Sequence, residues 1–137
     1  LKDESLDNLF FAFGNAEYLI EDCIAKFPAD KVSSVSFNFP DPWFKKKHHK
    51  RRIIQPKLIH KISQLMVKGG CISIKSDVEE LFEYMDMTII NSKFFSSYVY
   101  EDSEKFNSYN PLNLKTNREN YVTGKNLKVF ERLYKKI

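Results

Sequence analysis

One stretch constrains the fold of this chain more than any other: Val32 to Arg52, VSSVSFNFPDPWFKKKHHKRR. Its start alternates and is rich in β-formers, which predicts a strand over Val32–Phe39. Pro40 and Pro42 cannot donate to a ladder, so the strand stops there. The two pyrrolidine rings fix the backbone on either side of Asp41 and hold one carboxylate at the strand end. Trp43 follows, and then six cations fall within eight residues: Lys45, Lys46, Lys47, Lys50, Arg51 and Arg52. His48 and His49 lie among them and no acidic residue interrupts.

The rest of the chain supplies the surroundings for that strand. Leu9–Phe13 (LFFAF) is an apolar run ending at Gly14 and reads as a buried strand. Ala16–Lys26 has helical spacing and stops before Pro28. Pro56 suits the first turn of a helix running to about Val67, with Leu58, Ile59, Ile62, Leu65 and Met66 on one face. Gly69-Gly70 is expected to end that helix and turn the chain into a strand at Cys71–Lys75. Ser76-Asp77 is placed to cap a helix from about Val78 to Asn91. Residues 92–115 are expected to form a strand plus a long loop, and Leu127–Tyr134 a final strand.

The order β-α-β-α-β-α-β-β describes one α/β unit over residues 1–137, a mostly parallel sheet with an antiparallel C-terminal edge strand. No Gly-rich strand-to-helix turn of the GxGxxG kind occurs. The chain also starts at Leu1 and not at Met, so a partial domain whose first strands lie upstream is expected.

Composition excludes several classes. Two distant cysteines, Cys23 and Cys71, argue against a disulfide scaffold and for a reduced intracellular setting, cytoplasmic or nuclear. No signal peptide and no membrane-length apolar run is visible. His48 and His49 have no carboxylate or Cys at ligand spacing, so a metal site is rejected. A formal net charge of +4 is weak evidence for a nucleic-acid partner, and the clustering of the basic run says more. Aromatics at 15% mostly fill the core, with a minority available to stack on bases.

In open α/β sheets ligands bind beyond the carboxyl ends of strands. A carboxylate there can accept from the N1–H and N2–H₂ edge of guanine, a ring can stack on the base, and Lys and Arg can neutralise phosphates. A bare Pro-Asp-Pro turn or a bare basic run would more simply be a turn and a solvated helix start. The full string reads differently. Asn38-Phe39-Pro40-Asp41-Pro42-Trp43-Phe44-Lys45 through Arg52 resembles the signature of the tRNA (guanine-N7-)-methyltransferases, close to F-P-D-P-[WH]-x-K-x-[RK]-H-x-K-R-R. Trp43 follows the bacterial form, while Phe44-Lys45 resembles the eukaryotic one. Gly14-Asn15-Ala16 is similar to the family's G-[DN]-A, Ser76 to Leu81 to its T-D-V-E-E-L, and Thr116 to Glu119 to its T-x-x-E, all in family order.

The resemblance implies a Rossmann-like class I methyltransferase sheet using S-adenosylmethionine. It implies methylation of a guanosine in the tRNA variable loop, with Asp41 as the catalytic aspartate. By the same resemblance Asn15, Ala16 and Asn38 serve the cofactor, and Lys45, His49, Arg52, Asp77, Thr116 and Glu119 serve the substrate. Eukaryotic members work with a non-catalytic WD-repeat subunit, whereas bacterial ones act alone. Asn15 and Asp41 are expected at the carboxyl ends of neighbouring strands, facing one crevice. With the Gly-rich turn upstream, residues 1–137 alone are expected to bind the cofactor weakly or not at all, which calorimetry measures.

Shorter readings compete for single residues. Asp77 could be a helix cap, and Thr116 with Glu119 has the spacing of a capping box. Two other functions compete for the whole. An amino-methyltransferase of the same fold would carry [DNS]-P-P-[YFW], which Phe39-Pro40-Asp41-Pro42 interrupts. A non-catalytic RNA-binding module would need only the basic run.

Overall fold

The structure, a computed structural model of the chain, describes residues 12–26, 29–98 and 115–137. The alternating segment forms β1 (Val32–Asn38), with Phe37 buried. Pro28 ends the preceding helical pattern in sequence, and α1 occupies Ala16–Lys26 as its apolar spacing predicts. The predicted strand at Leu9–Phe13 falls mostly outside the described residues, and Ala12 and Phe13 carry no strand pairing.

Pro56 occupies the first turn of α2 (Pro56–Leu65), where its missing N–H costs no helical bond. Leu58, Ile59, Ile62 and Leu65 are buried along one face. The helix stops two residues short of the predicted Val67. Met66 is already extended, at φ −80° and ψ 142°, and begins β2 (Met66–Ser76).

Gly69-Gly70 therefore does not turn the chain between helix and strand. It lies inside β2, where the ladder is irregular: Val32 pairs with Met66, but Ser34 pairs with Cys71. The surplus residues lie on β2 as a bulge, and the two glycines permit it. Gly69 has φ 76°, a left-handed conformation. At Gly70 a Cβ would lie 2.9 Å from the Val67 carbonyl oxygen and 3.0 Å from that of Ser33. Gly70→Ala is thus expected to destabilise the full-length protein by about 1–3 kcal/mol, read by thermal or denaturant unfolding. An unchanged midpoint would mean that the bulge relaxes around a methyl group.

The sheet order is β1-β2-β4-β3, with β3 at Phe95–Tyr98 and β4 at Phe130–Lys136. β1 and β2 are parallel, and β4 runs antiparallel to both β2 and β3. The fold is the expected mostly parallel α/β sheet with an antiparallel C-terminal strand. That strand sits one place in from the rim, between β2 and β3, because β3 comes up on its outer side. It also starts later than predicted, since Leu127 closes the turn after a helix by donating to the Val122 carbonyl at 3.0 Å.

α3 (Glu79–Asn91) begins one residue later than expected, and Val78 stands at its N-cap with no side-chain cap bond. Ser76 does not cap it; its hydroxyl accepts from the Val78 N–H at 3.0 Å and tightens the turn before it. A short helix, α4 (Asn117–Gly124), starts at the capping-box spacing of Thr116 and Glu119. Ile59, Ile62, Ile72, Ile74, Leu81, Met85 and Ile89 form the core between the helices and the sheet. Tyr134 is fully buried in it, and its hydroxyl donates to Asp86 at 2.7 Å. Burial and that bond push the phenol well above its usual range.

Candidate functional site

The chain leaves β1 under constraint. The Phe39 N–H still donates to the Lys75 carbonyl at 2.9 Å, extending the ladder by one bond. Phe39 then takes φ 49° and Trp43 φ 47°. Bulky residues in the left-handed region cost roughly 1–3 kcal/mol each, so the surroundings must impose them. Two proteinaceous supports are visible. Arg52 Nε–H donates to the Pro42 carbonyl at 2.9 Å. The Trp43 indole is held edge-on by His48 at 5.8 Å and covered by the Arg51 guanidinium at 5.2 Å. The basic run itself is a 3-10 helix, Lys46–Arg51, with none of its residues buried.

Asp41 is exposed and borders three cavities at the carboxyl end of β1. The first, about 470 Å³, is lined by Gly14, Asn15, Ala16 and Glu17 on one side and by Phe39, Pro40, Asp41 and Arg51 on the other. Asn15 caps α1 there, its Oδ1 accepting from the Glu17 N–H at 2.8 Å. Asn15 and Asp41 thus face one crevice, as expected; the strand predicted before Asn15 lies mostly outside the described residues. The second cavity, about 450 Å³, adds Trp43, Phe44, Lys45 and His48. The third, about 510 Å³, joins Asp41 to Asn38, Phe44, Asp77, Thr116 and Arg118.

The structure sorts the expected residues into two groups. Asn15, Ala16, Lys45, Asp77 and Thr116 do border a cavity that Asp41 also borders. Asn38 does too, beside Asp77 and Thr116 and not beside Asn15 and Ala16. The register explains this: Asn38 pairs with Lys75, one residue before the turn that carries Asp77.

His49 and Glu119 line none of the three cavities, whereas Arg52 borders the first together with Asp41. Arg52 is 4% exposed. Beyond Pro42 it donates to Glu80 Oε1 at 2.7 Å and to His49 Nε2 at 3.1 Å, and its guanidinium covers the Tyr84 ring at 4.8 Å. That bond to Arg52 holds the Glu80 carboxyl below the usual carboxylate range. Glu119 is buried and accepts from Lys75 Nζ at 3.1 Å. Its own N–H donates to Thr116 Oγ1 at 3.1 Å, so Thr116 is the N-cap of α4 as well as a cavity residue.

Arg118 was missed. It occupies an unassigned place in T-x-x-E, and nothing local marks it. Yet it lines the third cavity and pairs with Asp77, whose side chain is 13% exposed. The site therefore offers a lone strand-end carboxylate, an aromatic ring, a facing Arg–Asp pair and a bank of exposed lysines.

A protein family described as "Putative methyltransferase" matches residues 1–132. The tRNA (guanine-N(7)-)-methyltransferase of Prochlorococcus marinus subsp. pastoris is 48% identical over 137 residues, covering 100% of this chain and 66% of that protein. The protein of the same name from Prochlorococcus marinus strain MIT 9313 is 40% identical over 131 residues, covering 96% of this chain and 55% of its own length. The chain thus spans less than two thirds of the length of these relatives. A solved structure, the aminoglycoside resistance methyltransferase NpmB1, aligns over 80% of this chain and 54% of its own, at TM-score 0.43 and 12% identity.

Proposed function

The chain belongs to the methyltransferase family that matches residues 1–132, and from that membership we propose that it is part of an enzyme that methylates N7 of a guanosine in the tRNA variable loop. The observation that carries the reading is the position of Asp41. It stands between the cavity lined by Asn15 and Ala16 and the cavity lined by Asp77, Thr116 and Arg118. A residue shared by two cavities can act where a donor and an acceptor meet.

The donor set fits the implied cofactor. Gly14, Asn15 and Ala16 bring backbone and amide edges to a cavity of about 470 Å³, within the range of small-molecule sites. They would hold the adenine side of S-adenosylmethionine, which when bound supplies an electrophilic methyl group on a sulfonium. Guanine N7 has a free lone pair at neutral pH, so no residue must remove a proton from it. What the protein contributes is placement and charge. Asp41 accepts from the guanine N1–H and N2–H₂ edge and offsets positive charge that grows on the purine. Trp43 offers a stacking face, and Lys45 with the lysines after it holds phosphates. Asp77 and Arg118 close the far wall. The base must leave the tRNA fold to enter, as for other enzymes acting on a stacked base.

The relatives named are bacterial, so the WD-repeat subunit and a nuclear location are not part of this proposal. Among the described residues no helix is long and apolar enough to cross a membrane. The test is to incubate the full-length protein with methyl-labelled S-adenosylmethionine and unmodified tRNA, then digest to nucleosides. The label is expected in 7-methylguanosine. Label on an adenine amino group or on protein would support the amino-methyltransferase reading, and tRNA binding without label the RNA-binding module.

A further inference from the structure

Arg52 is the one basic residue of the run that faces inward. A buried cation is tolerated only when paired, and Arg52 is paired on every side that the structure shows. Its Nε–H grips the Pro42 carbonyl, the backbone immediately after Asp41. Its Nη2 reaches Glu80 in the first turn of α3 and His49 in the 3-10 helix. Its flat face lies on Tyr84, also in α3. Gln55 ties the same corner from behind, donating to the carbonyls of His49 and Arg52 at 3.1 and 3.0 Å. The Pro42 carbonyl belongs to the loop bounded by the left-handed residues Phe39 and Trp43. A strained loop springs to another conformation unless something outside it prevents this, and Arg52 is the side chain bonded to its backbone.

We infer that Arg52 is a positioning residue: anchored on Glu80 and Tyr84, it fixes the Pro-Asp-Pro loop so that Asp41 is held between the two cavities. It acts through Asp41, beside which it borders the first cavity. The inference rests on the methyl-transfer reading for its kinetic consequence, and on geometry alone for the loop. Lysine cannot replace it, because an ammonium has no planar fork to bond Pro42 and Glu80 together while lying on a ring. A displacement of about 1 Å at a reacting group costs roughly a hundredfold in rate.

The experiment compares wild type, Arg52→Lys and Glu80→Gln in the full-length protein. Turnover at saturating tRNA, tRNA affinity across a salt series and thermal stability are measured for each. The expected result is a kcat lower by about ten- to a hundredfold in Arg52→Lys and a smaller loss in Glu80→Gln, with tRNA affinity and its salt slope within about twofold of wild type. A salt slope lower by about one with unchanged kcat would make Arg52 a phosphate contact and overturn the inference. Lower stability with unchanged kcat per folded molecule would make it merely structural, and would also overturn it. Loop geometry is read separately from Trp43, the single Trp of this chain, by acrylamide quenching corrected with a Trp43→Phe control. Quenching should rise in Arg52→Lys; unchanged quenching overturns the inference. Wild-type protein that transfers no methyl group to tRNA would defeat the proposed function while leaving this second readout intact.

Discussion

Asp41→Ala in the full-length protein is expected to lower kcat for tRNA methylation by about 10²–10³-fold, with little change in folding stability. The two halves of this expectation have separate causes. Asp41 is exposed and outside the hydrophobic core, so truncation removes little packing. Substitutions of that kind usually fall within about 0.5 kcal/mol of neutral. The loop around it is held by Pro40, Pro42 and the bond from Arg52, none of which needs the carboxylate. The charge, in contrast, borders both cavities, and the purine gains positive charge only as the methyl group arrives. An interaction that strengthens on the way to the transition state shows in kcat and not only in KM. Asp41→Asn keeps the size and one acceptor but removes the charge. It should sit close to the alanine variant if charge matters most. A variant retaining most of the wild-type turnover would remove Asp41 from the catalytic role.

What the sequence made legible was whatever depends on near neighbours. The end of β1 was readable because a proline denies its own N–H to the ladder, wherever the rest of the chain goes. The apolar face of α2 was readable for the same reason, since Leu58, Ile59 and Ile62 share a face by spacing alone. Gly69-Gly70 was misread because a pair of glycines suits a turn and a bulge equally. The deciding contact is with the Ser33 carbonyl on the neighbouring strand, far away in sequence. Arg52 reads in the sequence as one more cation of a run that serves the substrate. Its burial depends on Glu80 and Tyr84, about thirty residues on, and on α3 bringing them under the loop. Thr116 and Glu119 carried two meanings at one spacing. The structure shows the cap directly, and it leaves Thr116 on the cavity wall while Glu119 turns to Lys75. Side chains chosen by long-range packing were thus the illegible part of the site.

Replacing Lys46, Lys47 and Lys50 together with Ala should weaken tRNA binding strongly and reduce its salt dependence by about two to three units of log–log slope. The structure narrows the basic run to these residues. Arg51 covers Trp43 and Arg52 points inward, whereas Lys46, Lys47 and Lys50 are exposed on the 3-10 helix. In that helix, side chains three apart eclipse, so Lys47 and Lys50 stand one above the other. Two stacked ammonium groups repel in the free protein, and a phosphate placed against them relieves the repulsion and releases counterions. The effect does not depend on base sequence, so any tRNA should lose affinity alike. Lys46 and Lys47 border none of the three cavities and Lys50 borders only the first, away from Asp77 and Thr116, so most of kcat at saturating tRNA should be kept. This pattern differs from that expected for Asp41→Ala, whose loss falls mainly on kcat. Equal loss of kcat in both variants would mean that the lysines help to place the base. Unchanged affinity and slope would leave them as solvent-facing charge and place the tRNA contact elsewhere on the protein.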